Sequence, residues 1–383
     1  MNKKNIPDIL DYLNWRGDLT FEESAFNDID AVILCQILYL NFDGIFKNSG
    51  FKDFIKISEL AERFINAKDF KTRSNTGVLI NKQTVDLLKY AGKSRRFSDI
   101  KAAGYISVLD LSMEEQFSAV TYIIKNKMNF VAYRGTDDNI VGWKEDFNLA
   151  IHDIVPSQKD AQEYLKTAAQ TLRGFFYVGG HSKGGNLAVY ASATSPSGIQ
   201  KRIRTIYNFD GPGFTEEKIN SPQFKAIIPK VLSFHPQLSI VGMLFNRAGK
   251  CLIVKSFETG IMQHDMFSWA LMGKNFSMLD KFEKESEFFN STVNTWINGL
   301  DIEKRKLFID TVFDIIDATN ARTNTELEKN IPENSIRIIS AVRKLDPDVR
   351  EAVRSTIFEL FNVINQKLPE ILSEIKQNFP LKL

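Results

Sequence analysis

Ser182 is surrounded by glycines in the stretch Gly179-Gly180-His181-Ser182-Lys183-Gly184-Gly185, with the apolar run Phe175–Val178 before it and the small-residue run Asn186–Thr194 after it. A serine at a sharp strand-to-helix turn is held in a strained backbone with its hydroxyl clear of the sheet. Small residues two before and two after keep strand and helix from colliding, so the turn demands G-x-S-x-G, and Gly180, Ser182 and Gly184 supply it. The helix start behind the serine favours developing negative charge. The chemistry indicated is nucleophilic attack by an activated serine. A Walker-type phosphate loop is excluded, because Gly184 is followed by Gly185 and Asn186 rather than Lys and Ser/Thr; the glycine spacing also fails the dinucleotide pattern. The competing bland reading is a glycine-rich turn carrying an idle serine.

Serine is a weak nucleophile near neutral pH and needs a base. The chain has four histidines. His181 adjoins the serine and reads as structural. His152 lies upstream, against the chain order Ser…Asp…His. His235 stands at the end of a strand in SFHPQ. His264, in GIMQHDMFSW after the last strand, stands where the order asks for the base, with helix capping or packing as its bland alternative. Two backbone amides are needed for an oxyanion: one from Lys183, the residue after the nucleophile, and one from a loop after an earlier strand. Tyr133-Arg134-Gly135-Thr136 is such a loop, and Thr136 is its candidate donor. Asp210, in NFDGPG, stands at the carboxyl end of the strand after the nucleophile strand, where open α/β sheets place their sites. It is the candidate acid, with Asp265 as rival and a turn-starting Asp as the bland alternative. Trp143, in the polar segment Asp137–Phe147, is a candidate substrate contact; a core tryptophan is the alternative.

These residues require elements to hold them. Residues 1–100 read as mostly helical. Asn27-Asp28 caps one helix through Leu40, Ile57-Ser58 starts another, and Gly92 closes a third. Phe117–Lys125 and Asn129–Tyr133 read as a hairpin. Ser157 caps a helix over 158–173, closed by Gly174. Strands at Phe175–Val178, Ile203–Phe209, Val231–Phe234 and Cys251–Ser256 alternate with helices, which indicates an α/β class with parallel strands. After about 275 the strands stop. Helical patterns over Glu283–Leu300, Glu303–Thr319, Ser335–Leu345 and Pro347–Asn378 suggest a helical extension, so the chain divides into 1–275 and 276–383.

The composition is that of an ordinary globular protein, 43% hydrophobic and 25% charged, with a net charge of +2. That balance favours neither nucleic acid nor an anionic membrane as partner. Two cysteines, Cys35 and Cys251, read as reduced thiols. Asp8 and Asp11 interrupt the N-terminal region where a signal peptide needs an apolar run, and no stretch is long enough for a membrane span. The expected setting is cytoplasmic, with no integral membrane segment.

FVAYRGTDDNIVGWKEDFNLA (130–150) and YVGGHSKGGNLAVYAS (177–192) resemble the lipase class 3 group of α/β-hydrolases, in which a strand ending in F/Y-R-G-S/T precedes a lid-like segment with Trp and the turn is G-H-S-x-G-G. The N-terminal stretch from Asn5 to Leu40, SIVGML (239–244) and GIMQHDMFSW (260–269) resemble a bacterial branch of that group whose function is unassigned. The similarity covers about residues 5–275. It implies an α/β-hydrolase fold, a mostly parallel sheet flanked by helices, with Ser182 as nucleophile, His264 as base, and Thr136 and Lys183 as oxyanion donors. Lipases of this class carry the acid in a D-x-V segment; here Ser239 occupies that place, so the acid is moved or the triad is incomplete.

The resulting expectation is a serine hydrolase acting on a carboxylic ester, small-molecule or lipid, through an acyl-enzyme and without metal or organic cofactor. The alternatives are a thioesterase or peptidase on the same fold, and a catalytically idle hydrolase fold that serves as a binding module.

Overall fold

Two interleaved apolar sets build the central sheet. Its strands are β1 (Phe54–Lys56), β2 (Lys101–Asp110), β3 (Glu115–Lys125), β4 (Met128–Tyr133), β5 (Phe175–His181), β6 (Ile203–Phe209), β7 (Val231–Pro236) and β8 (Lys250–Val254). A small hairpin follows, β9 (Leu271–Met272) with β10 (Asn275–Phe276), and then β11 (Met278–Leu279). In β3 and β4, Val120, Tyr122, Phe130 and Ala132 enter one core cluster, while Phe117, Ala119, Val131 and Tyr133 enter another. This period of two, apolar on both faces, is what a sheet buried between two helical layers requires.

In this computed structural model, residues 6–283 are described except 47–49, 78, 79, 126, 150 and 151, together with Ser286, residues 302–329, and residues 334, 336, 337, 340 and 341. The sheet order is β1-β2-β3-β4-β5-β6-β7-β8-β11. Strands β4 to β8 pair in parallel. The strands outside them, β1 to β3 on one side and β11 on the other, pair antiparallel. The expected hairpin is β3–β4, and the expected parallel strands are β5 to β8. The sheet continues past the expected boundary at 275 to Leu279.

The helices are α1 (Ile9–Arg16), α2 (Asp28–Ile37), α3 (Ile57–Ile65), α4 (Phe70–Arg73), α5 (Thr84–Lys93), α6 (Ile140–Asn148), α7 (Pro156–Thr171), α8 (Lys183–Thr194), α9 (Ser197–Arg202), α10 (Glu216–Asn220), α11 (Pro222–Ile227), α12 (Ile302–Asp317) and α13 (Asn324–Lys329). Helices α1, α2, α3 and α5 cover one face of the sheet, and α7, α8 and α11 cover the other. Asn27 caps α2 in a reciprocal box with Asp30, which satisfies two otherwise orphaned donors. The buried Asp30 also pairs with buried Arg96 at 2.5 Å. Arg96 donates to the carbonyls of Leu19, Thr20, Ser24 and Ala25 as well, so one guanidinium closes the loop between α1 and α2.

Three local readings change. Helix α2 ends at Ile37, not Leu40. Gly92 lies inside α5 rather than closing it; a β-carbon there would press on the Ala61 β-carbon at 2.7 Å, so the glycine serves close packing of α3 on α5. The cap of α7 is Val155, with Pro156 in the first turn, and Ser157 sits inside the helix. Proline's fixed φ suits that first turn and displaces the cap by two residues. The same helix also ends early, at Thr171 with Leu172 as its cap, so Gly174, at φ +97°, turns the chain into β5 beyond the helix end rather than closing the helix.

The expected helix over 303–319 is α12; those over 283–300, 335–345 and 347–378 lie wholly or mostly outside the described residues. Ile309, Phe313 and Ile315 of α12 pack with Ile140, Trp143 and Phe147 of α6. The link after α12 laces onto the start of α6, with Ile140 N–H donating to Arg322 O at 3.1 Å and Asn324 N–H to Asp138 O at 2.9 Å. No helix among the described residues is long and apolar enough to cross a membrane.

Candidate active site

The carboxyl ends of the parallel strands gather the candidate residues. Ser182 follows β5 directly and begins α8, with φ +57° and ψ −133°. Positive φ is costly for a residue with a side chain and persists only where the surroundings enforce it. Here Ser182 N–H donates to Phe209 O at 2.9 Å, and Ser182 O accepts from Gly185 N–H at 2.8 Å. The glycines are explained by contact: a β-carbon on Gly180 would overlap the main chain of Gly184, and one on Gly184 would overlap the carbonyl of Tyr133. Any side chain there would force α8 off the ends of β4 and β5.

Asp210 follows β6 and is fully buried. Its N–H donates to Phe234 O at 2.7 Å. The next turn is held by side chains: Gly211 N–H donates to Asn208 Oδ1 at 2.9 Å, and Asn186 Nδ2 donates to the carbonyls of Pro212 and Gly213 at 3.1 Å each. His264 ends a 3-10 turn, Gly260–His264, in the loop after β8. Its Nδ1–H donates to Asp210 Oδ2 at 2.6 Å. A carboxylate accepts only, so this bond puts the His264 proton on Nδ1 and leaves Nε2 as an acceptor. Burial works against the Asp210 charge, but hydrogen bonds from His235 and His264 outweigh it and hold its pKa well below the usual carboxylate range. Among the described residues no hydrogen bond joins Ser182 Oγ to His264; catalytic contacts of this kind are often loose until substrate is bound.

His181 ties the serine turn to His264. Its ring lies 4.4 Å from that of His264, centroid to centroid. Its Nε2–H donates to the His264 carbonyl at 2.8 Å, so its Nδ1 accepts from the Tyr39 hydroxyl, also at 2.8 Å. Burial, then the charge of His264, pushes the His181 pKa down to about 3, which keeps this ring neutral. Asp265, the rival acid, faces elsewhere: it caps the following 3-10 turn through Phe267 N–H at 3.0 Å and accepts from Asn81 Nδ2 at 2.7 Å.

Thr136 lies just past β4, and Lys183 is the first residue of α8. Both side chains are committed to α6. Thr136 Oγ1 donates to Asp146 Oδ2 at 2.6 Å. Lys183 Nζ donates to Glu145 Oε2 at 2.7 Å and to Gln116 O at 2.9 Å, in an ion pair with no exposed side-chain surface. Glu145 is matched further by the N–H groups of Ser157 at 2.9 Å and Gln116 at 3.1 Å. Two neighbouring carboxylates of one helix therefore hold the side chains of both candidate oxyanion residues, leaving their amides for other work. Trp143, two residues earlier, packs into the cluster with α12, and its buried Nε1 has no hydrogen-bond partner among the described residues.

The structure thus brings Ser182, Asp210, His264, Thr136 and Lys183 to one edge of the sheet. Sequence reasoning missed Glu145, Asp146 and Tyr39, and it named His235 and Ser239 without tying either to Asp210. A signal for the first existed: a lysine in a turn flanked by small apolar residues needs a buried carboxylate, and Glu145-Asp146 is an acidic pair in the segment already singled out. The bond of Tyr39 to His181, and those of His235 and Ser239 to Asp210, span too much of the chain for any spacing to have shown them.

A parallel sheet, a strained serine between β5 and α8, an acid after β6 and a histidine after β8 define the architecture of an α/β-hydrolase. Residues 91–314 match the Mbeg1-like family, and the chain belongs to it. Among solved structures it is similar to a mutant form of MDLA from Penicillium cyclopium (12% identity, 65% of this chain and 83% of the other, TM-score 0.38). It is also similar to a fungal lipase (13%, 72% and 90%, TM-score 0.38) and to the Rhizomucor miehei lipase propeptide complex (14%, 62% and 74%, TM-score 0.31). No curated protein matches it.

Two predictions follow from this geometry. On the serine-hydrolase reading proposed below, Asp210→Asn is expected to keep the fold and lose most ester hydrolysis, on the order of the 10⁴-fold seen when the acid of a serine protease is amidated, whereas Asp265→Asn is expected to lose far less. Steady-state rates on one soluble ester decide this, and the reverse ranking moves the acid to Asp265. The second concerns Asp146, whose pKa burial pushes up to about 6 against the pull of Lys183 and Thr136. A carboxyl raised on folding stabilises the fold below its ordinary pKa, and that stabilisation is lost as pH rises through about 6. Asp146→Asn cannot ionise, so its Tm relative to wild type rises between pH 4 and pH 8. A difference that stays flat across that window counts against the assignment.

Proposed function

We propose that this protein is a serine hydrolase that cleaves a carboxylic ester, small-molecule or lipid, through an acyl-enzyme. The observation that carries the proposal is the 2.6 Å hydrogen bond from His264 Nδ1 to the buried Asp210, beside a serine held at positive φ. In this reading Ser182 Oγ attacks the ester carbonyl carbon while His264 Nε2 takes its proton. The carbonyl oxygen becomes an oxyanion facing the amides of Thr136 and Lys183. Collapse breaks the bond to the alcohol, which leaves with the proton from His264. Water, deprotonated by the same imidazole, then releases the acid and frees Ser182. Asp210 stays ionised throughout, holding the imidazole in its Nδ1–H tautomer. The cytoplasmic setting belongs to the proposal too, and the two free cysteines, Cys35 and Cys251, fit a reducing compartment.

The test is covalent labelling. Wild type is expected to react with a fluorophosphonate and Ser182→Ala is not, while circular dichroism of the two agrees. Equal labelling of both removes Ser182 from the mechanism, and a folded wild type that labels nowhere favours the idle binding module. An ester panel then addresses substrate. Helix α6 carries Glu145 and Asp146 against the oxyanion residues and Trp143 against α12, so it forms a wall of the site whose position depends on Trp143. Trp143→Ala is expected to change the ratio of long-chain to short-chain ester turnover; an unchanged ratio means that α6 does not meet the acyl chain.

A further inference from the structure

The buried carboxylate of Asp210 is shared by a second histidine. His235, near the end of β7, is fully buried, and its Nδ1 lies 3.1 Å from Asp210 Oδ1. The acceptor is a carboxylate, so Nδ1 carries the proton. The other ring nitrogen, Nε2, is buried with no hydrogen-bond partner among the described residues. An imidazole left half-satisfied in an apolar place costs desolvation that a phenylalanine or leucine would avoid. Packing therefore does not account for a histidine here; the one interaction that does is the bond to Asp210.

The carboxylate is divided between two sides. Oδ1 accepts from Ser239 Oγ at 2.5 Å and from His235 Nδ1, while Oδ2 faces His264 at 2.6 Å. Gly242 closes the Oδ1 side from behind, where a β-carbon would overlap both His235 Nδ1 and Asp210 Oδ1. We propose that His235 is a positioning residue of this site: with Ser239 it locks Asp210 Oδ1, fixes the rotation of the carboxylate, and reserves Oδ2 for His264. The inference rests on the hydrolase reading above. Its electrostatic consequence has a definite sign. Donors on Oδ1 withdraw charge from the carboxylate, so removing one leaves more negative charge facing His264 and favours the imidazolium. The titratable groups facing His264 are Asp210, His181, Asp146 and the adjoining Asp265. Those around His235 are Asp210, then Arg247 stacked on the same Phe282 that flanks the His235 ring, and Cys251 beside Arg247.

The experiment compares His235→Phe, His235→Asn and wild type in full-length protein, after Ser182-dependent labelling of the wild type has been established. A wild type that does not label through Ser182 sinks the hydrolase reading; the outcomes below bear on His235 alone. His235→Phe removes the donor and is expected to lower kcat/KM about 10- to 100-fold, the range for a hydrogen bond to a charged group. It should also move the acidic limb of the pH profile to higher pH. His235→Asn places an amide N–H where Nδ1 stood and is expected to stay within a few-fold of wild type, with the limb unmoved. The downfield proton resonance of His264 Nδ1–H should shift in the Phe variant and hold in the Asn variant, a readout that does not depend on turnover. Should His235→Phe not fold, His235→Gln, whose amide reaches the Nε2 place instead, carries the same expectation. An unmoved limb and resonance in a folded donor-less variant overturn the proposal, as does an Asn variant impaired as much as the Phe variant.

Discussion

A carboxylate with no exposed surface must be matched donor by donor, and at Asp210 that matching joins the carboxyl ends of three elements. The acid itself comes from the end of β6. Its main chain is tied to β7 through Phe234, and its side chain to His235 in β7, to Ser239 in the loop beyond, and to His264 after β8. Each donor is a fixed distance from one small group, so the ends of these strands cannot slide relative to one another without stranding a buried charge. The strand register and the geometry of the site are therefore one constraint. The positive φ of Asp210, like that of Ser182, is the local backbone cost of bringing these side chains together at the edge of a sheet.

A second buried charge does the equivalent work on the other side of Ser182. Lys183 stands at the start of α8 with its ammonium wholly enclosed, and Glu145 of α6 answers it. Removing either partner would leave an uncompensated charge in the interior, which makes the pair an effective staple whatever its net contribution to stability. Because Asp146 meanwhile holds Thr136, α6 is bound at successive residues to both candidate oxyanion positions. The helix in turn carries Trp143 and Phe147 into the apolar cluster with α12. Helix α12 thus reaches both candidate oxyanion positions through α6.

The third tie is neutral. Tyr39, from just beyond α2, donates to His181, which donates to the carbonyl of His264. A neutral ring in a single tautomer suits this role, since it must accept from one side and donate to the other. It links the helical layer on one face of the sheet to the loop that bears His264. Both ring nitrogens of the histidine beside Ser182 are thereby engaged, one by Tyr39 and the other by the His264 carbonyl.

Local pattern was enough for much of this protein. The β-branched and aromatic runs in Phe117–Lys125 and Asn129–Tyr133, the glycine spacing about Ser182, and the strand–helix alternation through Val254 are short-range signals, and the sheet, the serine turn and the α/β class follow from them. The order Ser182, Asp210, His264 was legible too, because strand ends are ordered along the chain and each candidate follows a strand. Tertiary structure decided the partners of the buried charges. Lys183 with Glu145, Arg96 with Asp30, and Asp210 with His235, Ser239 and His264 are separated by tens of residues, and nothing in their spacing says which carboxylate meets which donor. Asp210 and Asp265 were equal as residue types until folding gave Asp265 a cap and Asn81, and gave Asp210 His264. Helix ends moved for the same reason in miniature, as with Val155 and Pro156 in place of Ser157. Sequence carries the periodicities that make elements; which polar group satisfies which other is settled only when those elements are packed and water has been excluded between them.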